Sequence, residues 1–207
     1  MKARKKLISS AARLFHAKGY HNTSVRDILD ASSVFRNNFY YHFESKEQLG
    51  FEVLGRRMRW WYEYVVAPSL DNRELHPLQR VNVLLDRVRT IGCSRAGESG
   101  CPFGNLAQEM SYSHEAFRQA LSDFFRNIAE CLTHCFDEGK KTGHFSKDLP
   151  SAEVAVFAIA VIQGSFLLRK THRDAAIFEK NIEMLRHMFG RWTVSGEHCA
   201  DKESAHG

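Results

Sequence analysis

The chain has 207 residues, 43% of them hydrophobic and 26% charged, with a formal net charge of +5. That length fits one large domain or two small ones, and that composition excludes a disordered chain or an integral membrane protein. The charge is uneven: Met1 to Lys46 carries nine basic and three acidic residues, so all of the excess lies in the first fifth. The asymmetry points to a polyanionic partner for the front of the chain, against the plainer alternative of a solvated basic helix face.

Leu7, Ala11, Leu14 and Phe15 recur at helical spacing and predict an amphipathic helix over about 3–18, stopped by Gly19. The basic start leads into no apolar core with a cleavage site, so no secretory signal is expected and the chain reads as cytoplasmic. Thr23 or Ser24 caps a second helix over Val25–Ala31, with Ser24 and Asp27 in capping-box spacing. Ser32–Phe35 has no period and reads as a tight turn. A third short helix follows over Arg36–His42, and Ser45 with Gln48 opens a long helix from Lys46 to about Val66.

Pro68 and Pro77 punctuate a linker, Leu78–Gly92 is helical, and the glycines and serines of Gly92–Gly100 predict a loop. Pro102 suits a first helical turn, which puts Cys101 at the N-cap. Phe117, Leu121, Phe124, Ile128, Leu132 and Cys135 form a helical stripe within Ser113–Glu138, and Gly139–Pro150 is a loop. Ser151 caps an apolar helix to about Lys170, whose VAVFAIAVI run falls short of the ~18 unbroken apolar residues of a membrane span. Asp174 caps a last helix with Phe178, Ile182, Leu185 and Phe189 on one face. Residues 194–207 are polar and unpatterned and are expected to be disordered.

The fold class is therefore all-α, with about nine helices. The expected division is a helix-turn-helix domain over 1–46, a larger helical domain over 47–193 and the tail 194–207.

The stretch TSVRDILDASSVFRNNFYYHFESK places two short helices around a turn of three or four residues, which is helix-turn-helix spacing. Ile28, Leu29, Val34, Phe39 and Phe43 can bury a small core and turn the second helix outward. Its other face then presents Arg36, Asn37, Asn38, Tyr40, Tyr41 and His42. Arginine suits guanine O6/N7 and asparagine suits adenine N6/N7 in the major groove. Hydroxyls, lysines and helix N-termini suit phosphates. The alternative is a plain helical hairpin with a polar surface, since clusters such as FYYHF are often core.

GYHNTSVRDILDASSVFRNNFYYHFESKEQL resembles the DNA-binding signature of the TetR family of transcriptional regulators, over roughly residues 5–54. The resemblance implies a homodimer that binds a palindromic double-stranded DNA operator and releases it when a small-molecule effector enters the C-terminal domain. By position it also implies DNA contact at Arg26, Arg36, Asn37, Asn38, Tyr40, Tyr41 and His42. Lys46 falls where a backbone phosphate is held, and Thr23 and Ser24 at a phosphate-facing helix start. Three positions depart from the family pattern: Ser33 stands where glycine is usual, Phe35 replaces a small polar cap, and Asn37 replaces a frequent glycine. Ser33 must accept a strained angle or make a different turn.

In the same family the last two helices pack against their dimer mates, here Ser151–Lys170 and Asp174–Trp192, although these faces could equally close the monomer core. Trp60, Trp61, Tyr64, Cys101, Phe103, Tyr112, Phe124 and Gln163 are candidate effector-pocket residues. GESGCPFGNLAQEM resembles a TetR subgroup that includes sensors of electrophiles or oxidants, and a thiol at a helix N-terminus is biased toward thiolate. Cys101 is thus either a sensor or a small residue packed at a helix start.

The cysteines are an odd, scattered five, read as reduced thiols. Cys131 and Cys135 share a helix face, with His134 or His114 as conceivable zinc partners, but buried packing is preferred and no metal or cofactor is expected. No GxSxG, HExxH, phosphate-loop or dinucleotide pattern occurs, so an enzyme is not expected. The rival functions are an all-α thiol enzyme acting through Cys101 and a helical interaction module that does not bind DNA.

Overall fold

The computed structural model describes residues 2–194. The tail expected from 194 onward therefore lies, apart from Val194, outside the described residues. The described residues form nine α-helices: α1 (Lys2–Lys18), α2 (Val25–Ser32), α3 (Arg36–His42), α4 (Lys46–Trp61), α5 (Pro77–Cys93), α6 (Pro102–Met110), α7 (Glu115–Lys141), α8 (Ser151–His172) and α9 (Ala175–Gly190). The one strand-like feature among them is an isolated bridge between Phe145 and Thr193.

Two apolar cores organise these helices. The smaller gathers Leu7, Ile8, Ala11 and Leu14 of α1, Ile28 of α2, Val34 of the turn, and Phe39 and Phe43 at the third helix. Leu49 and Val53 of α4 complete it, so α4 belongs to this core as well as leading out of it. Fully burying a side chain such as Phe39 stabilises by about 1.5–3 kcal/mol. That burial holds a seven-residue helix too short to persist alone. The larger core is built on α5, α7, α8 and α9, with Phe117, Leu121, Phe136, Phe178 and Ile182 among its most buried members.

Three local features differ from expectation. The long helix from Lys46 keeps α-geometry only to Trp61; Tyr62–Val66 is a π-helical turn, closed by Ala67 N donating to Tyr62 O at 2.8 Å. The expected loop Gly92–Gly100 contains a 3₁₀ turn, Arg95–Ser99. It packs so closely on the buried Arg169 that a Cβ at Gly97 would stand 2.0 Å from the guanidinium. Finally, Ser151 is the first helical residue of α8 rather than its cap; Pro150 takes that place, and the Ser151 hydroxyl donates to Asp137 at 2.6 Å.

By length and composition α8 could cross a membrane. In this fold it packs between α7 and α9 and carries the buried Arg169 on its inner side. Its other side leaves Val156, Phe157, Leu167 and Leu168 exposed. A helix apolar on all sides is normally covered on all sides.

Candidate nucleic-acid interface and the domain behind it

Ser24 caps α2 through a reciprocal box: its hydroxyl oxygen accepts from Asp27 N at 3.1 Å, and its own N–H donates to Asp27 Oδ2 at 2.8 Å. Those bonds hold the Asp27 carboxyl below the usual carboxylate range. The turn that follows is made by Ser33 at φ +51°, ψ +43°, so the residue accepts the left-handed angle that glycine would take without strain. Val34 then folds inward, its N–H donating to Leu29 O at 3.3 Å.

The helix α3 begins at Arg36 with no side-chain cap. Phe39 is fully buried beneath it. Arg36, Asn37, Asn38, Tyr40 and Tyr41 all point to solvent, Tyr41 at 81% exposure. The Arg36 guanidinium lies 5.6 Å from the centre of the Tyr40 ring. His42 is half-buried, edge-on to Tyr41 and Phe43. Arg26 of α2 is exposed beside Asp30. Lys2, Lys5 and Lys6 of α1 are exposed and extend the cationic surface. This face offers fork-shaped and amide hydrogen-bonding groups at the free positive end of a short helix, the chemistry that reads base edges and phosphates.

Two expected contacts are placed differently. Thr23 is fully buried and its hydroxyl donates to Gly19 O at 2.8 Å, so it staples the α1–α2 connection and faces no phosphate. Lys46 donates to Tyr20 O at 3.1 Å and Thr23 O at 3.0 Å, with its ammonium 4.3 Å from the Tyr20 ring centre. It holds that same connection onto α4. Partial burial lowers its pKa. Phe35, noted above for replacing a small polar cap but not counted among the contacts, stands 84% exposed at the tip of α3. An aromatic where a small cap is usual was the available signal.

The helix α1 and the turn after it are tied to α6 and the turn before it. His16 Nε2 donates to Gly100 O at 2.9 Å, and His21 N donates to Glu109 Oε2 at 3.0 Å. The Arg57 guanidinium of α4 donates to Ala12 O at 3.1 Å. Phe51 of α4 stacks on Phe117 of α7, ring centres 4.0 Å apart. Burial, with Arg57 and Lys170 nearby, pushes the His16 pKa down against the raising effect of its carbonyl bond.

The expected pocket residues separate into three groups. Trp60 and Tyr64 stack on one another at the surface, with Arg87 over the Tyr64 ring, and Tyr112 is fully exposed; none of the three faces an interior space. Trp61, Phe103 and Phe124 pack on one another, Phe103 and Phe124 with ring centres 4.1 Å apart, and Phe103 also borders a small pocket with Phe15, His16 and Arg57. Cys101 and Gln163 do come together, in a cleft of about 310 Å³ between α6 and α8. Cys101 is the N-cap of α6, its sulfur accepting from Gly104 N at 3.5 Å. The dipole there was expected to favour thiolate, but complete burial outweighs it and pushes the thiol pKa up. Cys135 is also buried, its thiol donating to Pro77 O and pushed up to about 11.

An all-α architecture with a two-helix reading element on a basic front defines a helix-turn-helix regulator. The family of bacterial regulatory proteins of the tetR type matches residues 7–53, and the tetracycline-repressor-like C-terminal domain matches residues 77–185. Over 191 residues the chain is 33% identical to an HTH-type transcriptional regulator encoded in the lacX 3' region of Lactococcus lactis, covering 90% of this chain and 92% of that one. It is 30% identical over 172 residues to the HTH-type transcriptional repressor DhaR of Mycobacterium sp. (strain GP1), covering 83% and 84%. The crystal structure of regulatory protein TetR from Rhodobacter sphaeroides superposes with a TM-score of 0.79 at 25% identity, covering 94% of this chain and all of that one. The chain belongs to the TetR family of transcriptional regulators, which are DNA-binding proteins and not enzymes.

Proposed function

We propose that this chain is a repressor that binds a palindromic operator in the cytoplasm as a homodimer and releases it when a small molecule enters the C-terminal domain. The observation that carries this is the division of α3, with Phe39 fully buried on one side and Arg36, Asn37, Asn38, Tyr40 and Tyr41 exposed on the other. With Arg26 and Ser24 of α2, these residues are the proposed DNA contacts, and His42 borders them. Two such helices about 34–36 Å apart would enter successive major grooves. Support for the homodimer comes from the exposed apolar residues of α8, joined by Met184 of α9. Support for the effector comes from the cleft at Cys101 and Gln163. Buried and with a raised pKa, Cys101 favours a reversibly bound ligand over an electrophile or oxidant attacked by thiolate.

An effector shifts the balance only by binding the released conformation better. The test is a gel shift on DNA flanking the coding region across a salt series. Tight, sequence-selective binding that weakens steeply with salt is expected. Binding indifferent to sequence, or none, would overturn the proposal.

A further inference from the structure

The cleft between α6 and α8 has a distinct chemistry. Phe125, Phe166 and Leu167 make its walls apolar, and because Leu167 also belongs to the exposed face of α8 proposed for the homodimer, the cleft borders that face. Its polar groups are the amides of Asn105, Gln108 and Gln163 and the thiol of Cys101. Among the described residues no aspartate, glutamate, lysine, arginine or histidine lines it. Asn105 is already committed, its amide donating to Ser99 O at 2.7 Å. The Gln163 carboxamide comes within reach of the Cys101 thiol. Its carboxamide crosses so close to α6 that a Cβ at Gly104 would stand 2.4 Å from Oε1. Glycine at that position is what leaves the amide room.

We infer that the effector is a small uncharged molecule carrying a carbonyl or amide group, seated in this cleft and fixed by the Gln163 carboxamide. This rests on the ligand-responsive reading above and gives that reading a ligand class and a site. An ion would give up its hydration with no charged side chain lining the cleft to replace it, the nearest cations being Arg57, which acts on Cys101, and Lys170, whose stem passes Gly100. A neutral carbonyl exchanges water for the Gln163 N–H, and its apolar remainder is covered by the two phenylalanines. At about 310 Å³ the cleft is at the small end of ligand sites, which sets the size of the occupant. The site is also well placed to act. Cys101 follows Gly100, whose carbonyl His16 of α1 holds. A ligand pressing on Cys101 therefore presses on the peptide that ties the reading domain to the rest of the chain.

The full chain is titrated with two shape-matched pairs, benzamide with benzoate and cinnamamide with cinnamate. Calorimetry follows binding and a gel shift follows operator release. The amides are expected to bind at least tenfold tighter than their acids. Gln163→Leu is expected to weaken the amides at least tenfold. Gln163→Met, which keeps the length and loses the hydrogen bonds, gives the same test should the leucine variant not fold. Acids binding as tightly as amides would overturn the inference, and is the result expected if Lys170, whose stem passes Gly100, acts as an anion anchor. So would amide binding that both variants retain, or no amide binding at millimolar concentration. Failure of the wild-type chain to bind its operator is a separate result: it removes the regulatory reading, whatever the amides do.

Discussion

Lys46 and Tyr41 both belong to the reading domain and carry opposite loads. Lys46 satisfies two carbonyls of the α1–α2 connection and covers the Tyr20 ring, whereas Tyr41 touches little beyond its neighbour His42 and faces solvent. A hydrogen bond from a charged group contributes about 1.5–3 kcal/mol, and partial exposure reduces that. Lys46→Met is therefore expected to lower stability by about 1–2 kcal/mol, read as a lower urea midpoint. Tyr41→Ala should leave the midpoint unchanged and weaken operator binding about tenfold, or 1.4 kcal/mol. If Lys46→Met kept full stability and lost operator binding, the ammonium would be a phosphate contact after all. Ser33 offers a second residue-scale check. It holds a left-handed angle that costs a residue with a Cβ about 1–2 kcal/mol. Ser33→Gly removes that cost but adds unfolded-chain freedom. A net gain of about 0.5–1 kcal/mol is expected by the same urea assay.

Between α1 and α6 the decisive group is His16. Its pKa is lowered in the fold, so the folded state takes up its proton later than the unfolded chain. The imidazole is neutral in both states above 6.5, and its bond to Gly100 stabilises fully there. As the pH falls from 6.5 toward the lowered value, the unfolded chain binds the proton first and stability is lost. Melting temperature should therefore drop more steeply below pH 6.5 in the wild type than in His16→Gln, whose amide can reach the same carbonyl without titrating. His76 titrates with the same sign but is present in both proteins, so it cancels in the comparison.

The helices themselves were legible because their signals are local. Ser24, Asp27, Ser45, Pro102 and Asp174 mark helix starts by chemistry that acts within one turn. The inward turn of Phe39 followed from the spacing of the small core. What was hidden is tertiary. That the Lys46 ammonium reaches back to Tyr20 and Thr23 depends on the angle between α2 and α4. Which of Trp60, Trp61 and Tyr64 faces inward depends on where α-geometry gives way to the π turn after Trp61. The burial of Cys101 depends on α8, far along the chain.

Taken whole, the molecule separates its two surfaces by kind: a cationic front at α1–α3 and, on α8 and α9, an apolar back. Val156, Phe157, Leu167, Leu168 and Met184 are exposed there, Met184 at 67% and Val156 at 60%. Apolar area of that sort, grouped on two adjacent helices, is removed from water most simply by its own copy around a two-fold axis. The same axis would pair the two reading helices, so that the second half-site is bound at the effective concentration set by the first. Loss of that coupling weakens binding by about 10²–10⁴-fold without touching a single DNA contact. Phe157→Asp places a charge on that face at a side chain already half exposed in the single chain. The variant should fold with its melting temperature measured at low concentration unchanged, sediment as a monomer, and bind operator at least a hundredfold more weakly, with half-site and full-site DNA now bound alike. A variant that sediments as a dimer and retains wild-type affinity would show that the two copies meet on another face.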